Sequence, residues 1–460
     1  MTGPRRRAGI RPARPRAIRA TALRAVALLF LLLAAPAAAQ EIRSGPMVGF
    51  SAMREALLWV QTDAPAEVRF RWWDLADPDE RGESETVRTR AEDANVAKVV
   101  AAELEPGRRY GYEVIVDGEV AARPWPLEFQ TQALWHWRTD PPPFRIAVGS
   151  CFYVNEPLYD RPGDPYGGDP RILSAILGTD PDAMVWLGDN VYLREVDWDT
   201  REGILHRYSH TRALPELQPL LGSVHHYATW DDHDYGPNNS DRSYWAKHLT
   251  REAFDLFWGN PPFGGHGLEG VTNTFFWGDV QVFLLDDRWY RSPERRRGGE
   301  RTILGDEQLE WLIDALAFSR APFKLVAVGG QVLNPAAVYE NWSTYPEALE
   351  RLLEAIHAER IEGVIFLTGD RHHTELTRME RPGAYPLHDL TVSPLTAGIS
   401  SMTNEPNTHR VEGTVVQAHN FATLDFSGPR TDRALEITVR DADGAALWAR
   451  TIRAAELRYP

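Results

Sequence analysis

Between Thr229 and Asn239 the chain reads Thr-Trp-Asp-Asp-His-Asp-Tyr-Gly-Pro-Asn-Asn. Asp231, Asp232, His233, Asp234, Asn238 and Asn239 therefore fall within eleven residues, directly after a run that predicts a buried strand. Carboxylates this close repel one another and resist ionising together unless a cation or protons lie among them. Carboxylate, amide and imidazole are also groups that hard and borderline metals take as ligands. Side chains of similar chemistry recur at Ser150-Cys151, Gly188-Asp189-Asn190-Val191-Tyr192, Asp286-Asp287-Arg288-Trp289-Tyr290-Arg291, Gly329-Gly330-Gln331 and Gly369-Asp370-Arg371-His372-His373.

Each of these clusters closes an apolar run of strand length. The runs are Phe144–Cys151, Ala183–Gly188, His226–Trp230, Val280–Leu285, Phe323–Val328 and Gly363–Leu367. Helix-period segments alternate with them: Ser243–Trp258, Pro346–Glu359 and Gly305–Ser319, the last with Leu309, Leu312, Ile313 and Leu316 on one face. That alternation predicts an α/β architecture. Ligands of open α/β sheets bind beyond the carboxyl ends of strands, so the polar tails are expected to converge. Thr423–Phe426, Leu435–Arg440 and Ala446–Ile452 read as closing strands. Upstream, the proline-rich stretch Leu134–Pro143 predicts a linker, and residues 45–133 predict a small all-β domain. Its strand runs are Ala56–Gln61, Ala66–Trp73, Val96–Leu104, Tyr110–Val116 and Leu127–Thr131. Leu104-Glu-Pro-Gly-Arg-Arg-Tyr110-Gly-Tyr112 resembles the tyrosine corner of fibronectin type III sandwiches, where a tyrosine hydroxyl bonds back to the turn.

The chain has 460 residues, 43% of them hydrophobic, enough for a large core and about two or three domains. The first forty residues hold eight Arg and no Asp or Glu, with a run from Ala22 to Ala35 that is apolar but for Arg24, then Ala-Pro-Ala-Ala-Ala-Gln. That order predicts a secretory signal peptide over residues 1–40, and hence a periplasmic or secreted protein. A single N-terminal anchor is the alternative; no later run is long enough to span a membrane. Arg5-Arg6-Arg7 hints at twin-arginine export, although the following residues fit Sec export better. Without those eight arginines the chain carries 42 basic against 65 acidic residues, a net charge near −23. Such acidity argues against bulk binding of nucleic acid or anionic membrane. The lone cysteine, Cys151, excludes an internal disulfide and is either a buried small hydrophobe or a ligand or reactive thiol.

Taken together, Ser150-Cys151, Gly188-Asp-x-x-Tyr192, Trp230-Asp-Asp-His-Asp with Asn238-Asn239, Asp286-x-Arg288-x-x-Arg291 and Gly369-Asp-x-His372 resemble the PhoD-type (alkaline phosphatase D) family of the calcineurin-like metallophosphatase superfamily. The resemblance covers residues 143–460, and a preceding β-sandwich is usual there. It implies a metallophosphatase-type β-sandwich flanked by helices, and hydrolysis of small or polymeric phosphate esters as an alkaline phosphatase or phosphodiesterase. It implies Fe3+ held by Cys151, Asp189, Tyr192 and His372, with Ca2+ or another divalent metal on Asp232, Asn239 and Asp370. A tyrosine titrates at about 10, and a trivalent metal would stabilise the phenolate of Tyr192. Such metals would polarise a phosphoryl oxygen and supply a hydroxide nucleophile. His233 would stabilise developing charge or protonate the leaving alkoxide, with Asp234 orienting it. Arg288 and Arg291 would grip phosphate oxygens. Asn190 stands at a substrate-binding place where some relatives carry Arg.

Several readings stay open on the residues alone. Tyr192 could be an ordinary packed aromatic, either Asn238 or Asn239 could be the ligand, and Arg295-Arg296-Arg297 reads as a solvated loop. His225 and His226 read as structural, and His372 fits the motif better than His373, with Glu375 behind it. Gln331 replaces a ligand His found in many relatives, which favours calcium over a zinc-type second site. Monoester and diester preference are not separable here. The competing function is a secreted binding protein on a degenerate phosphatase scaffold, which would require catalytic groups to be missing; His233, Asp189 and Asp370 are all present.

Overall fold

Strands built from consecutive apolar residues must be buried on both faces, and the strands that carry the candidate site are. Phe144–Gly149, Ala183–Leu187 and His225–Thr229 run parallel at the centre of a nine-stranded sheet, with almost no solvent contact. The computed structural model describes Gly3 and residues 41–262, 267–401 and 405–460. Gly3 apart, the expected leader over residues 1–40 lies outside the described residues.

The nine-stranded sheet runs Ala446–Arg453, Ala434–Asp441, Asn420–Ser427, Phe144–Gly149, Ala183–Leu187, His225–Thr229, Ile42–Ser51, Ala56–Thr62, Val96–Ala101. A six-stranded sheet runs Asn273–Trp277, Val280–Leu284, Phe323–Ala327, Val364–Thr368, Leu387–Thr391, Glu375–Met379. The two share one apolar core, in which Tyr227 stacks on Phe275 at 3.6 Å between centroids and Phe323 meets Phe426 edge-on at 5.5 Å. Helices pack onto the sheets through apolar faces. Lys247–Phe257 sets Phe254 against Trp230, and Gly305–Phe318 sets Trp311 against Phe283. This is the α/β architecture that the strand and helix patterns predicted, in the form of the helix-flanked β-sandwich that the resemblance implied.

The N-terminal region is all β, as expected. Glu67–Asp74, Asp77–Glu83 and Arg109–Val116 form a third sheet, which packs over Ile42–Ser51, Ala56–Thr62 and Val96–Ala101 around Val48, Leu58, Phe70, Val99, Tyr112 and Val114. The tyrosine corner is present: the Glu105 N–H donates to the Tyr110 hydroxyl at 2.8 Å. The sequence did not reveal that one sheet of this sandwich continues into the large one. Val48 pairs in parallel with His225, so Ile42–Ser51 lies edge to edge with a strand that carries the site. His225 seals this seam, donating from Nδ1 to the Gly49 carbonyl at 2.7 Å and accepting from the Gln130 N–H at 3.0 Å. Both His225 and His226 are structural, as predicted. Burial lowers their pKa values to about 4 and about 3.

Candidate metal centre

The polar tails converge at one end of the sandwich. Ligand atoms of Cys151, Asp189 and His372 lie within 4.8 Å of one another, as do those of Asp189, Asp232 and His233, and those of Asp231, Asp232 and Asp370. Asp189 belongs to the first two groups and Asp232 to the last two, so the clusters form a continuous chain. The Tyr192 hydroxyl joins it 3.2 Å from His372 Nε2. Backbone bonds hold the strand ends together: Cys151 N–H to the Gly188 carbonyl at 3.2 Å, His233 N–H to Asp189 Oδ1 at 3.2 Å, and Gly369 N–H to the Gly329 carbonyl at 2.7 Å.

The local backbone is unusual in a consistent way. Cys151, Asp189, Asn239, Asp370 and His372 all adopt positive φ, between 53° and 63°. Left-handed non-glycine residues are uncommon, and each costs on the order of 1–3 kcal/mol. Here they lie on four chain segments whose ends meet at the cluster. Crowding is equally telling at Gly329, where a Cβ would sit 2.3 Å from the Asp231 carboxyl carbon.

The donor set fits metal ions. A soft sulfur, a phenol oxygen, an imidazole and a carboxylate suit iron, whereas an all-oxygen group suits a harder cation. Within the cluster Asp232 Oδ1 and Asp231 Oδ2 are buried with no hydrogen-bond partner among the described residues, a state that costs free energy unless something positive is shared. The carboxylates cannot all be charged together. Burial would raise Asp232, but His233, Arg288 and the Asn239 N–H outweigh it and hold it at about 2. Burial and the charge of Asp232 then push Asp370 up to about 7 and raise Asp189 well above its ordinary value. Burial also raises the Cys151 thiol and the Tyr192 phenol. Ser393 Oγ donates to Cys151 Sγ at 3.1 Å.

Four predicted residues occupy places other than those expected. Arg288 and Arg291 are fully buried behind the carboxylates and present no edge to solvent. Arg288 bonds Asp231 at 2.6 Å through Nε and Glu340 at 2.8 Å through Nη1; Arg291 bonds the Glu340 carbonyl at 2.7 Å and lies over the Tyr345 ring. This differs from the phosphate grip expected of them, because buried guanidinium groups here offset carboxylates. Asn190 is buried, and its amide nitrogen donates to the Thr229 carbonyl at 2.8 Å rather than facing a substrate space. Asp234 does not bond the His233 ring; its oxygens accept from the Asn190 N–H at 3.0 Å and the Asp231 N–H at 3.1 Å. The short helix Asp232–Tyr235 turns that carboxylate back onto its own N-terminus. His233 instead stacks on Tyr192, with centroids 4.4 Å apart.

The remaining residues fall as follows. Asn238 and Asn239 are both exposed, and the Asn239 N–H donates to Asp232 Oδ2 at 2.5 Å. Arg295, Arg296 and Arg297 lie on an exposed loop. His373 is fully buried with Nε2 3.6 Å from Glu375, behind the cluster. Gln331 Nε2 donates to Glu375 and to Thr391. Glu340, Ser393 and Tyr166 were missed by sequence reasoning. They lie outside the polar clusters at the strand ends, so spacing carried no signal for them.

Comparison with known proteins agrees with this geometry. Residues 164–437 match the PhoD-like phosphatase family, and residues 39–134 match a domain of unknown function, DUF7800. Alkaline phosphatase D of Bacillus subtilis (strain 168) is 25% identical over 205 residues, a match that covers 38% of this chain and only 35% of that protein's length. A solved structure described as PhoD superposes with a TM-score of 0.73 at 16% identity, covering 92% of each chain. The purple acid phosphatase PPD1 from yellow lupin (Lupinus luteus) seeds gives 0.66 at 13% identity, covering 89% of this chain and 74% of that one. At such identities these structures establish the shared fold.

Proposed function

This chain belongs to the PhoD-like phosphatase family, and on that footing we propose that it hydrolyses phosphoric esters at the strand-end cluster. The observation that carries the proposal is the chain of three ligand groups linked through Asp189 and Asp232, with unpartnered buried oxygens inside it. We assign Cys151, Asp189, Tyr192 and His372 to Fe3+ and Asp232, Asn239 and Asp370 to Ca2+ or a similar cation. When bound, those ions would polarise the phosphoryl group and activate water as hydroxide.

The protein's own groups do the rest. Asp189 places one carboxylate where both ligand sets meet. His233 is partly exposed beside Asp232, and its backbone is held to Asp189. Burial lowers its pKa, with Asp232 opposing that shift. An imidazole so placed can donate to a developing oxyanion or leaving alkoxide. Arg288 and Arg291 keep Asp231 and Glu340 compensated, and Asp234 ties the Asn190 and Asp231 turns together. The basic, apolar and small-residue order of residues 1–40 supports export, and among the described residues no helix is long and apolar enough to cross a membrane.

The test is turnover of a chromogenic phosphate monoester and diester by metal-loaded protein. Hydrolysis of at least one is expected, with His233→Ala slower by about 10²–10⁴-fold. Turnover of neither substrate would sink the assignment.

A further inference from the structure

His372 has two ring nitrogens, and only one of them faces the cluster. Nε2 lies 3.2 Å from the Tyr192 hydroxyl, beside Cys151 and Asp189. Nδ1 points the other way and meets the hydroxyl of Tyr166 at 3.2 Å, and the ring is also bonded by the Gly398 backbone. A ligating imidazole is oriented by the partner of its other nitrogen, which fixes both the ring plane and the tautomer. Resting on the metal-centre reading above, we propose that Tyr166 is the positioning residue for His372, accepting from Nδ1–H so that Nε2 is free to ligate.

Tyr166 is 46% exposed, so burial alone does not hold it. The surrounding structure does. Its ring packs edge-on to Tyr153 at 4.8 Å and lies 6.1 Å from the His372 ring. Gly398 gives it a flat floor: a Cβ there would come within 2.7 Å of the Tyr166 ring. Immediately after Tyr166 the chain is clamped twice to one side chain, Asn155, which donates to the Gly167 carbonyl at 2.8 Å and accepts from the Gly167 N–H at 2.9 Å. The next residue, Gly168, donates to the Thr396 carbonyl at 2.7 Å. The Ser400 N–H donates to the His372 carbonyl at 2.9 Å, holding that backbone from the same segment as Gly398. A solvent-facing loop tyrosine with this much backbone support is seated for a purpose, and its polar atom has a ligand histidine as its partner.

The test compares Tyr166→Phe with the wild type, which keeps the ring and removes the hydroxyl. Iron-loaded protein is challenged with a competing chelator while its visible absorption and metal content are followed. Tyr166→Phe is expected to weaken metal retention by about 10–100-fold and to shift the visible band, while its melting temperature stays near that of the wild type. Asn155→Ala, which releases the clamp on Gly167, is expected to move both readouts the same way. Unchanged retention and an unchanged band in Tyr166→Phe would overturn the positioning role alone. A wild type that takes up no metal would overturn it together with the reading it rests on.

Discussion

At the scale of single residues, types were legible and partners were not. Cys151, Asp189, Tyr192, Asp232, Asp370 and His372 could be picked out because each follows a buried strand. The distant role of Arg288 could not, because its meaning depends on Glu340, which comes from a loop far along the chain. Arg288 faces Asp231, Asp287 and Glu340 in a dry interior. Breaking a buried pair on one side costs about 3–5 kcal/mol. Arg288→Met is therefore expected to lower the melting temperature markedly, as thermal denaturation would show, even where metal is supplied in excess. Gly329→Ala is a sharper probe of the centre itself. With a Cβ 2.3 Å from the Asp231 carboxyl carbon, the carboxylate wall must move. Metal content should fall while the circular dichroism spectrum is retained; a metal-replete Gly329→Ala protein would show that the wall tolerates displacement.

At the scale of elements, the strands bearing the site were legible to within a residue or two, since continuous apolar runs bounded by glycine leave little alternative. Glu375–Met379 and Leu387–Thr391 were not, because the buried Glu375, His388 and Asp389 break the apolar pattern. Asp389 is instead satisfied inside the protein, accepting from the Val332 and Leu333 N–H groups at 2.8 and 2.9 Å. The tyrosine corner was readable from Leu104 to Tyr112, and Tyr110→Phe should cost about 1–3 kcal/mol by leaving the Glu105 N–H without its acceptor, measurable by urea denaturation. The two buried histidines give a pH dependence of definite sign. His225 and His226 are neutral when folded, with pKa values of about 4 and about 3, whereas an unfolded histidine titrates near 6.5. The unfolded chain therefore binds more protons below about pH 6.5. Stability conferred by these two groups is full above that pH and is lost as pH falls toward their folded values, by on the order of 3–5 kcal/mol each. His226→Gln should flatten the acid limb of the stability profile; an unchanged limb would place the sensitivity elsewhere.

At the scale of the whole molecule, the order of elements was legible but their continuity was not. The sequence reads as a sandwich, a proline-rich linker and a catalytic region, yet the Ile42–Ser51 strand covers the edge of His225–Thr229. One backbone pairing register between residues far apart in the chain leaves no periodic trace. Removing residues 41–142 would expose that edge, and an unpaired apolar strand edge is an aggregation site. The isolated 143–460 segment is expected to be insoluble or associated by size-exclusion chromatography, where the longer chain is not. What unites the scales is the claim that strand ends from both sheets build one centre for two kinds of metal. Metal analysis of protein purified without chelator or nickel, read alongside its visible spectrum, tests that claim most directly. Stoichiometric iron with calcium or a similar cation is expected, together with a charge-transfer band that Tyr192→Phe abolishes. Iron-replete protein without colour would refute Tyr192 ligation, and active protein free of bound metal would contradict the account as a whole.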